Sequence, residues 1–149
     1  MKSRWALLAG GLLVAAMILG VSGIASANGR DRCTDAALDG FYVFTASGFD
    51  IVSGVSQPIA IVELIRFNGD GTVDVPGGRV SVNGSIFPTV ATGTYTIASL
   101  TAPNKGCEGS LTFPGVHLYM FIPPDAHDIQ LIQTDPGTVF RGTATRVSK

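Results

Sequence analysis

The sequence predicts an all-β fold: a single antiparallel meander of eight strands closing into a barrel, with a β-sandwich as the alternative. Three observations lead there. From Gly40 onward, apolar and polar residues alternate with a period of two, the repeat of a strand with one buried face. Turn-forming dipeptides interrupt that alternation at short intervals. The 149 residues include 19 Gly and 8 Pro, which suits many strands and turns better than long helices. Connections this short leave no room for a βαβ unit, so neighbouring strands pair antiparallel. Eight such strands are enough to close a barrel.

The elements follow in chain order. Residues 1–27 read as an export signal: Lys2 and Arg4 supply positive charge, residues 6–20 are almost wholly apolar, and Ala25-Ser26-Ala27 is a small-x-small cleavage site. Cleavage is expected after Ala27; the alternative is an uncleaved anchor over 5–24, which approaches spanning length. Gly29-Arg30-Asp31-Arg32 before Cys33 is too charged for a lipoprotein anchor. Residues 28–39 form an N-terminal segment whose single helix-like run is 34–38, with Thr34 as N-cap. Residues 40–149 form the β-barrel domain.

Within that domain, 40–46 (GFYVFTA) and 58–67 (PIAIVELIRF) are the first two strands. Asn68-Gly69-Asp70-Gly71 is a turn, because Asn and Gly accept positive φ cheaply. A third strand runs over 72–75 and 79–82, with Pro76-Gly77-Gly78 marking a bulge or edge defect. Asn83-Gly84 is the next hairpin signal, 93–97 a strand and 102–105 a loop. Strands over 107–113 and 116–122 flank Pro114-Gly115. Pro123-Pro124-Asp125 is a turn, and 129–134 and 139–147 close the chain around Asp135-Pro136-Gly137.

Composition narrows the function classes. Hydrophobic residues make up 46% of the chain, enough for a packed core, and the net charge is −1. Without Lys2 and Arg4, eight basic residues face eleven acidic ones, a net −3. With no basic block, nucleic acid is not expected as a partner. No second apolar run is long enough to span a bilayer, so no stable membrane anchor is expected after signal cleavage. The expected location is periplasmic or extracellular. The chain has two cysteines, Cys33 and Cys107. In an oxidising compartment such a pair reads as one disulfide, worth about 4–5 kcal/mol for a loop of this size in the chain-entropy account.

The motifs GFYVF, FNGDGTV, GTYTI, CEGSLTF and QLIQTDPGTVFRGTA resemble a family of small exported bacterial proteins of unknown function. The resemblance covers most of the chain after residue 27. It implies a calycin-like barrel, similar to those of lipocalins and allene oxide cyclase. The second strand of those proteins carries a small residue where this chain has Glu63, so the resemblance gives Glu63 no family role.

Glu63 is the sharpest anomaly in the pattern. It shares a strand face with Ile59, Ile61, Ile65 and Phe67, while Ala60, Val62, Leu64 and Arg66 share the other. Facing the lumen, its carboxyl would be partly desolvated, with a raised pKa, and able to exchange a proton; facing outward it would be solvated. Both faces of this strand are largely apolar, which points to a homo-oligomer or to cover by the N-terminal segment; the alternative is tolerated surface hydrophobicity. On the sixth strand His117, Tyr119 and Phe121 share one face and Val116, Leu118, Met120 and Ile122 the other. A lumenal His117 and Tyr119 would orient a ligand or shuttle a proton; the alternative puts them on the outer face. Tyr42 and Tyr95 are candidate lumenal hydroxyls, and Arg141, on a face with Val139 and Thr143, a candidate contact for an anionic group.

Other chemistry is not expected. Asp125, His127 and Asp128 cluster in one loop, but a metal needs three or four convergent ligands, and the chain has only two His. Asn68, Asp70, Thr72 and Asp74 imitate the start of a calcium loop, yet Val73 and Arg79 occupy the positions that need Gly and a bidentate Glu. No metal and no cofactor are expected. Asn83-Gly84-Ser85 matches a glycosylation sequon that a hairpin also explains. There is no Gly-x-Ser-x-Gly elbow and no spare cysteine nucleophile. The leading functional expectation is a barrel binding one small hydrophobic molecule in its lumen, through Tyr42, Glu63, Tyr95, Tyr119 and Arg141. The alternatives are an envelope interaction protein with a filled barrel, or a cofactor-free isomerase or cyclase of allene oxide cyclase type using Glu63 with His117 or Tyr119.

Overall fold

The structure, a computed structural model, describes residues 33–100 and 105–149. The expected signal 1–27 with its cleavage site, residues 28–32, and 102–104 of the expected loop lie outside them. The strands are β1 (Gly40–Val52), β2 (Val55–Phe67), β3 (Thr72–Val82), β4 (Ser85–Ser99), β5 (Cys107–Phe113), β6 (Val116–Ile122), β7 (Asp128–Gln133) and β8 (Thr138–Ser148). Each pairs antiparallel with the next, and β8 pairs with β1, so the meander closes into one eight-stranded barrel.

Turn chemistry sets the register. Asn83 and Gly84 both take positive φ, 49° and 86°, which matches the twist of a two-residue hairpin. Ser53 and Gly54 do the same between β1 and β2, a hairpin the alternation alone did not reveal. In the loop before β3, Asp70 Oδ1 accepts from the Thr72 N–H (2.9 Å) and hydroxyl (2.6 Å), and Asn68 Nδ2 donates to Asp74 Oδ2 (2.9 Å). The calcium-like residues thus serve as turn chemistry. The register shifts between Val75 and Gly78, at the expected Pro76-Gly77 irregularity.

Three strands run further than the alternation suggested: β1 past residue 46, β2 back to Val55, and β4 back to Ser85. Pro88 is tolerated in β4 because the ladder to β5 begins only at Thr94, so residues before it pair on the β3 side alone. β1 to β4 are 11 to 15 residues long, whereas β5, β6 and β7 have 7, 7 and 6. The β1–β2 and β3–β4 hairpins therefore rise above the β5–β7 wall.

The two ends of the barrel differ. At the end where β1 starts, a 3-10 turn (Asp35–Leu38) folds in and buries Leu38 completely. Thr34 precedes it, but its side chain makes no capping bond. Phe67 sits edge-on between Tyr42 (5.2 Å) and Tyr95 (4.9 Å), a geometry aromatic quadrupoles favour. The Tyr42 hydroxyl donates to Ala126 O (3.1 Å) and the Tyr95 hydroxyl to Asp35 O (2.8 Å). Arg146 stacks on Tyr42 at 4.7 Å and donates to Asp39 O (2.6 Å), Ala37 O (2.8 Å) and Ala126 O (3.3 Å). The Cys33–Cys107 disulfide, with Cα atoms 5.6 Å apart, ties the N-terminal segment to the start of β5. This end is sealed.

Candidate functional site

At the opposite end the lumen is open. A cavity of about 650 Å³ runs down from the rim, within the range of small-molecule sites, about 300–1,000 Å³. Its walls are apolar: Ile59, Ile61 and Val80 on one side, Phe113, Leu118 and Phe140 on the other. Ile65, Val75 and Leu111 form the floor above the sealed tyrosines. Small residues make room for the aromatic rings. A Cβ at Gly142 would collide with the Phe44 ring (2.6 Å), and one at Gly93 with the Phe113 ring (2.7 Å).

Glu63 lies in this cavity wall. Strand parity sets the direction: Ile65 and Phe67, on its own face, are buried in the lumen, whereas Val62 on the other is 57% exposed. Phe44, Glu63, Gly78 and Thr89 form one row across β1 to β4. Gly78 is the gap that admits the carboxylate side chain. A Cβ there would overlap Glu63 Cγ and come within 2.7 Å of Thr89 Oγ1 and 2.8 Å of Val62 O. Burial pushes the Glu63 carboxyl above its ordinary value, and the Thr89 hydroxyl beside it pulls partly back. Thr89 Oγ1 is buried and makes no well-formed hydrogen bond within the protein.

The other polar lining groups sit toward the rim. The Thr138 hydroxyl donates to Asp50 Oδ1 at 3.2 Å. Gln133 Nε2 donates to Asp135 Oδ2 at 2.8 Å. Asp135 is also held by the His117 backbone N–H (2.7 Å) and Nδ1 (2.6 Å). The His117 N–H, Gln133 and the His117 ring, in that order, hold its carboxyl down to about 2.

The remaining candidates are placed elsewhere. His117 and Tyr119 lie on the outside of the barrel, because the wholly apolar face of β6 (Leu118, Met120, Ile122) fills the lumen. The Tyr119 hydroxyl donates to Glu108 Oε2 at 3.0 Å on that outer surface. Arg141 is also outside, beside Thr45, Ser47 and Gln130 in a shallow polar groove, because β8 turns Phe140 and Ala144 inward. Tyr42 and Tyr95 do point inward, but their hydroxyls are committed to the seal. Glu63 therefore has neither His117 nor Tyr119 as a lumenal partner. Asp50, Thr89, Gly78 and Gln133 were not singled out by sequence. Gly78 lay within the recognised Pro-Gly-Gly irregularity, the one signal that could have exposed the Glu63 cradle.

In the 123–128 loop, Asp125 Oδ1 accepts from the His127 N–H (3.2 Å) and Asp128 Oδ1 from the Thr145 hydroxyl (2.7 Å). Among the described residues no three His, Cys, Asp or Glu side chains converge on a metal-sized space. No helix among them is long and apolar enough to cross a membrane.

Comparison with protein-family models, curated proteins and solved structures finds no match. The closed eight-stranded meander is consistent with the calycin-like fold that the motif resemblance implies.

Proposed function

We propose that this chain is an exported binding protein that holds a small hydrophobic molecule in the open half of its barrel. The observation that carries this reading is the 650 Å³ apolar cavity, open at the rim and floored above a sealed end. A barrel serving only as a scaffold would gain by filling that space, since voids in a core cost stability. The disulfide supports an oxidising location, and with the signal over 1–27 it supports release to the periplasm or beyond, as a chain starting at Asn28. Titration with the neutral apolar fluorophore N-phenyl-1-naphthylamine tests the reading. Saturable binding is expected in the wild type and weaker binding in Val80→Trp, whose ring narrows the cavity. At a ligand concentration about 100 times Kd, bound ligand should stabilise the fold by about 2.7 kcal/mol. Absence of saturable binding by the wild type would remove the proposal.

A second reading, assembly with another copy of the chain, rests on the projecting hairpins. Phe49, Ile51 and Val52 of β1, Val55 of β2, and Ile86, Phe87 and Val90 of β4 are all exposed, a concentration that marks interaction surfaces. Light scattering should then give a dimer mass that reverts to monomer in Phe49→Ser/Ile86→Ser. A monomer at high concentration removes this reading and leaves the first intact.

A further inference from the structure

The polarity of the cavity is one-sided. Its ionisable lining groups are two acids, Glu63 and Asp50, and among the described residues no Lys, Arg or His lines it. Arg141, the cation that an anionic ligand would need, lies on the outer surface. Most hydrogen-bond donors that could replace it are already committed; the exceptions are the Thr89 hydroxyl and the second amide N–H of Gln133. Gln133 gives one of its two amide N–H groups to Asp135 (2.8 Å) and leaves its buried amide oxygen without a partner; the reversed amide would set oxygen against carboxylate. Thr138 gives its hydroxyl to Asp50 (3.2 Å). The Tyr42 and Tyr95 hydroxyls are held in the sealed end. The Thr89 hydroxyl lies beside Glu63 with that carboxyl as its neighbour across Gly78. What predominates for a guest is acceptor capacity: carboxylate oxygen on the wall at Glu63 and at the rim at Asp50, and the unpartnered amide oxygen of Gln133.

From this distribution we infer that the cavity selects amphipathic molecules whose polar end is a hydrogen-bond donor, with apolar primary amines preferred. The amine would meet Glu63 beside Thr89, and the apolar body would lie between Ile61, Val80, Phe113 and Phe140. The inference rests on the binding reading above and gives it a ligand class. An ammonium group supplies charge and donors to a desolvated acid, which a half-buried carboxyl otherwise lacks. A hydroxyl supplies one donor and no charge. A carboxylate would enter a lumen lined by two acids and, among the described residues, by no cation, and both like-charge repulsion and desolvation oppose it.

The test is a matched series that displaces the naphthylamine fluorophore from the disulfide-intact protein: decylamine, decanol and decanoate at pH 7 and low ionic strength. The amine should compete at least about tenfold more tightly than the acid, a difference of about 1.4 kcal/mol, with the alcohol between them. Decanoate binding as tightly as decylamine, or more tightly, overturns the inference while leaving the binding reading in place. No displacement of a bound fluorophore by any of the three overturns the inference alone, and no fluorophore binding overturns both. Glu63→Gln should remove most of the amine preference and leave decanol within about threefold, whereas Asp50→Asn should remove the smaller share. Retention of the full amine preference in a folded Glu63→Gln protein overturns the assignment to Glu63. Should Glu63→Gln melt before measurement, Glu63→Met, which keeps a side chain of similar length, must weaken the amine more than the alcohol or the assignment falls.

Discussion

The two ends of the barrel use the same strands for opposite purposes. At the sealed end, polar groups are matched in place: two tyrosine hydroxyls and three guanidinium hydrogen bonds satisfy backbone carbonyls of the 3-10 turn and the 123–127 loop. At the open end a hydroxyl and an amide oxygen are buried without partners, and apolar side chains stand exposed on the projecting hairpins. An unpaired polar atom in a dry site costs about 1–3 kcal/mol, a cost the paired groups of the sealed end avoid. The contrast assigns paired polar groups to one end and, on the binding proposal, recognition to the other.

Cutting the disulfide is the strongest way to break that division. Cys33→Ser/Cys107→Ser frees a loop spanning 74 positions and should lower stability by about 4 kcal/mol, read by denaturant unfolding. Fluorophore affinity below the transition should change little, because neither cysteine lines the cavity. A parallel collapse of affinity in the still-folded variant would show that the ends are not separable. Arg146→Ala comes next. It removes three hydrogen bonds and the stacking on Tyr42, and should cost about 2–4 kcal/mol with the same indifference in binding. A loss under about 0.5 kcal/mol would mean that the 3-10 turn is held by its apolar contacts alone.

The barrel was legible because its signals are local. Period-two alternation and Asn-Gly or Pro-Gly turns act over a few residues, and they located all eight strands. Strand lengths were less legible. Gly48 and Pro88 look like breakers, but Gly48 lets β1 approach Phe140, and Pro88 has a strand neighbour on one side only. The site was legible in one residue. Glu63 shares its face with Phe67, and the parity of that anchor decides its direction. His117 and Arg141 needed a comparison of both faces of their strands. On β6 the face without polar atoms turns inward. On β8 the inward face carries Gly142 and Ala144, small because Phe44 from β1 occupies the space above them. That information lies on another strand, beyond the reach of alternation within β8. Arg146 was missed for a related reason: its acceptors belong to the 3-10 turn and the 123–127 loop, distant in sequence.

The smallest expected effect sharpens the comparison most, because pH separates Glu63 in the open cavity from Tyr42 in the seal. In the sealed end, burial pushes the Tyr42 phenol up to about 12, against a partial opposing pull from Arg146, so it stays neutral through the whole ordinary range. At the open end, burial raises the Glu63 carboxyl from a model-peptide value near 4.5. An acid harder to ionise in the fold than in the unfolded chain leaves stability intact below the unfolded pKa. Stability then falls as pH rises through that value and levels off above the folded pKa. Glu63→Gln removes the ionisation and with it the loss. At pH 7 the variant should therefore be more stable than the wild type, by no more than about 1 kcal/mol because the open mouth lets solvent screen the carboxyl. Near pH 3.5, where the acid is protonated in both states, the two proteins should melt together. Thermal unfolding of the pair at both pH values, without ligand, reads the difference directly. A gain of equal size at both values would make it a packing effect of the amide, and no gain at either would place the carboxyl in water. The Tyr42→Phe variant supplies the control from the sealed end: it should lose the hydrogen bond to Ala126 by the same amount at pH 3.5 and at pH 7.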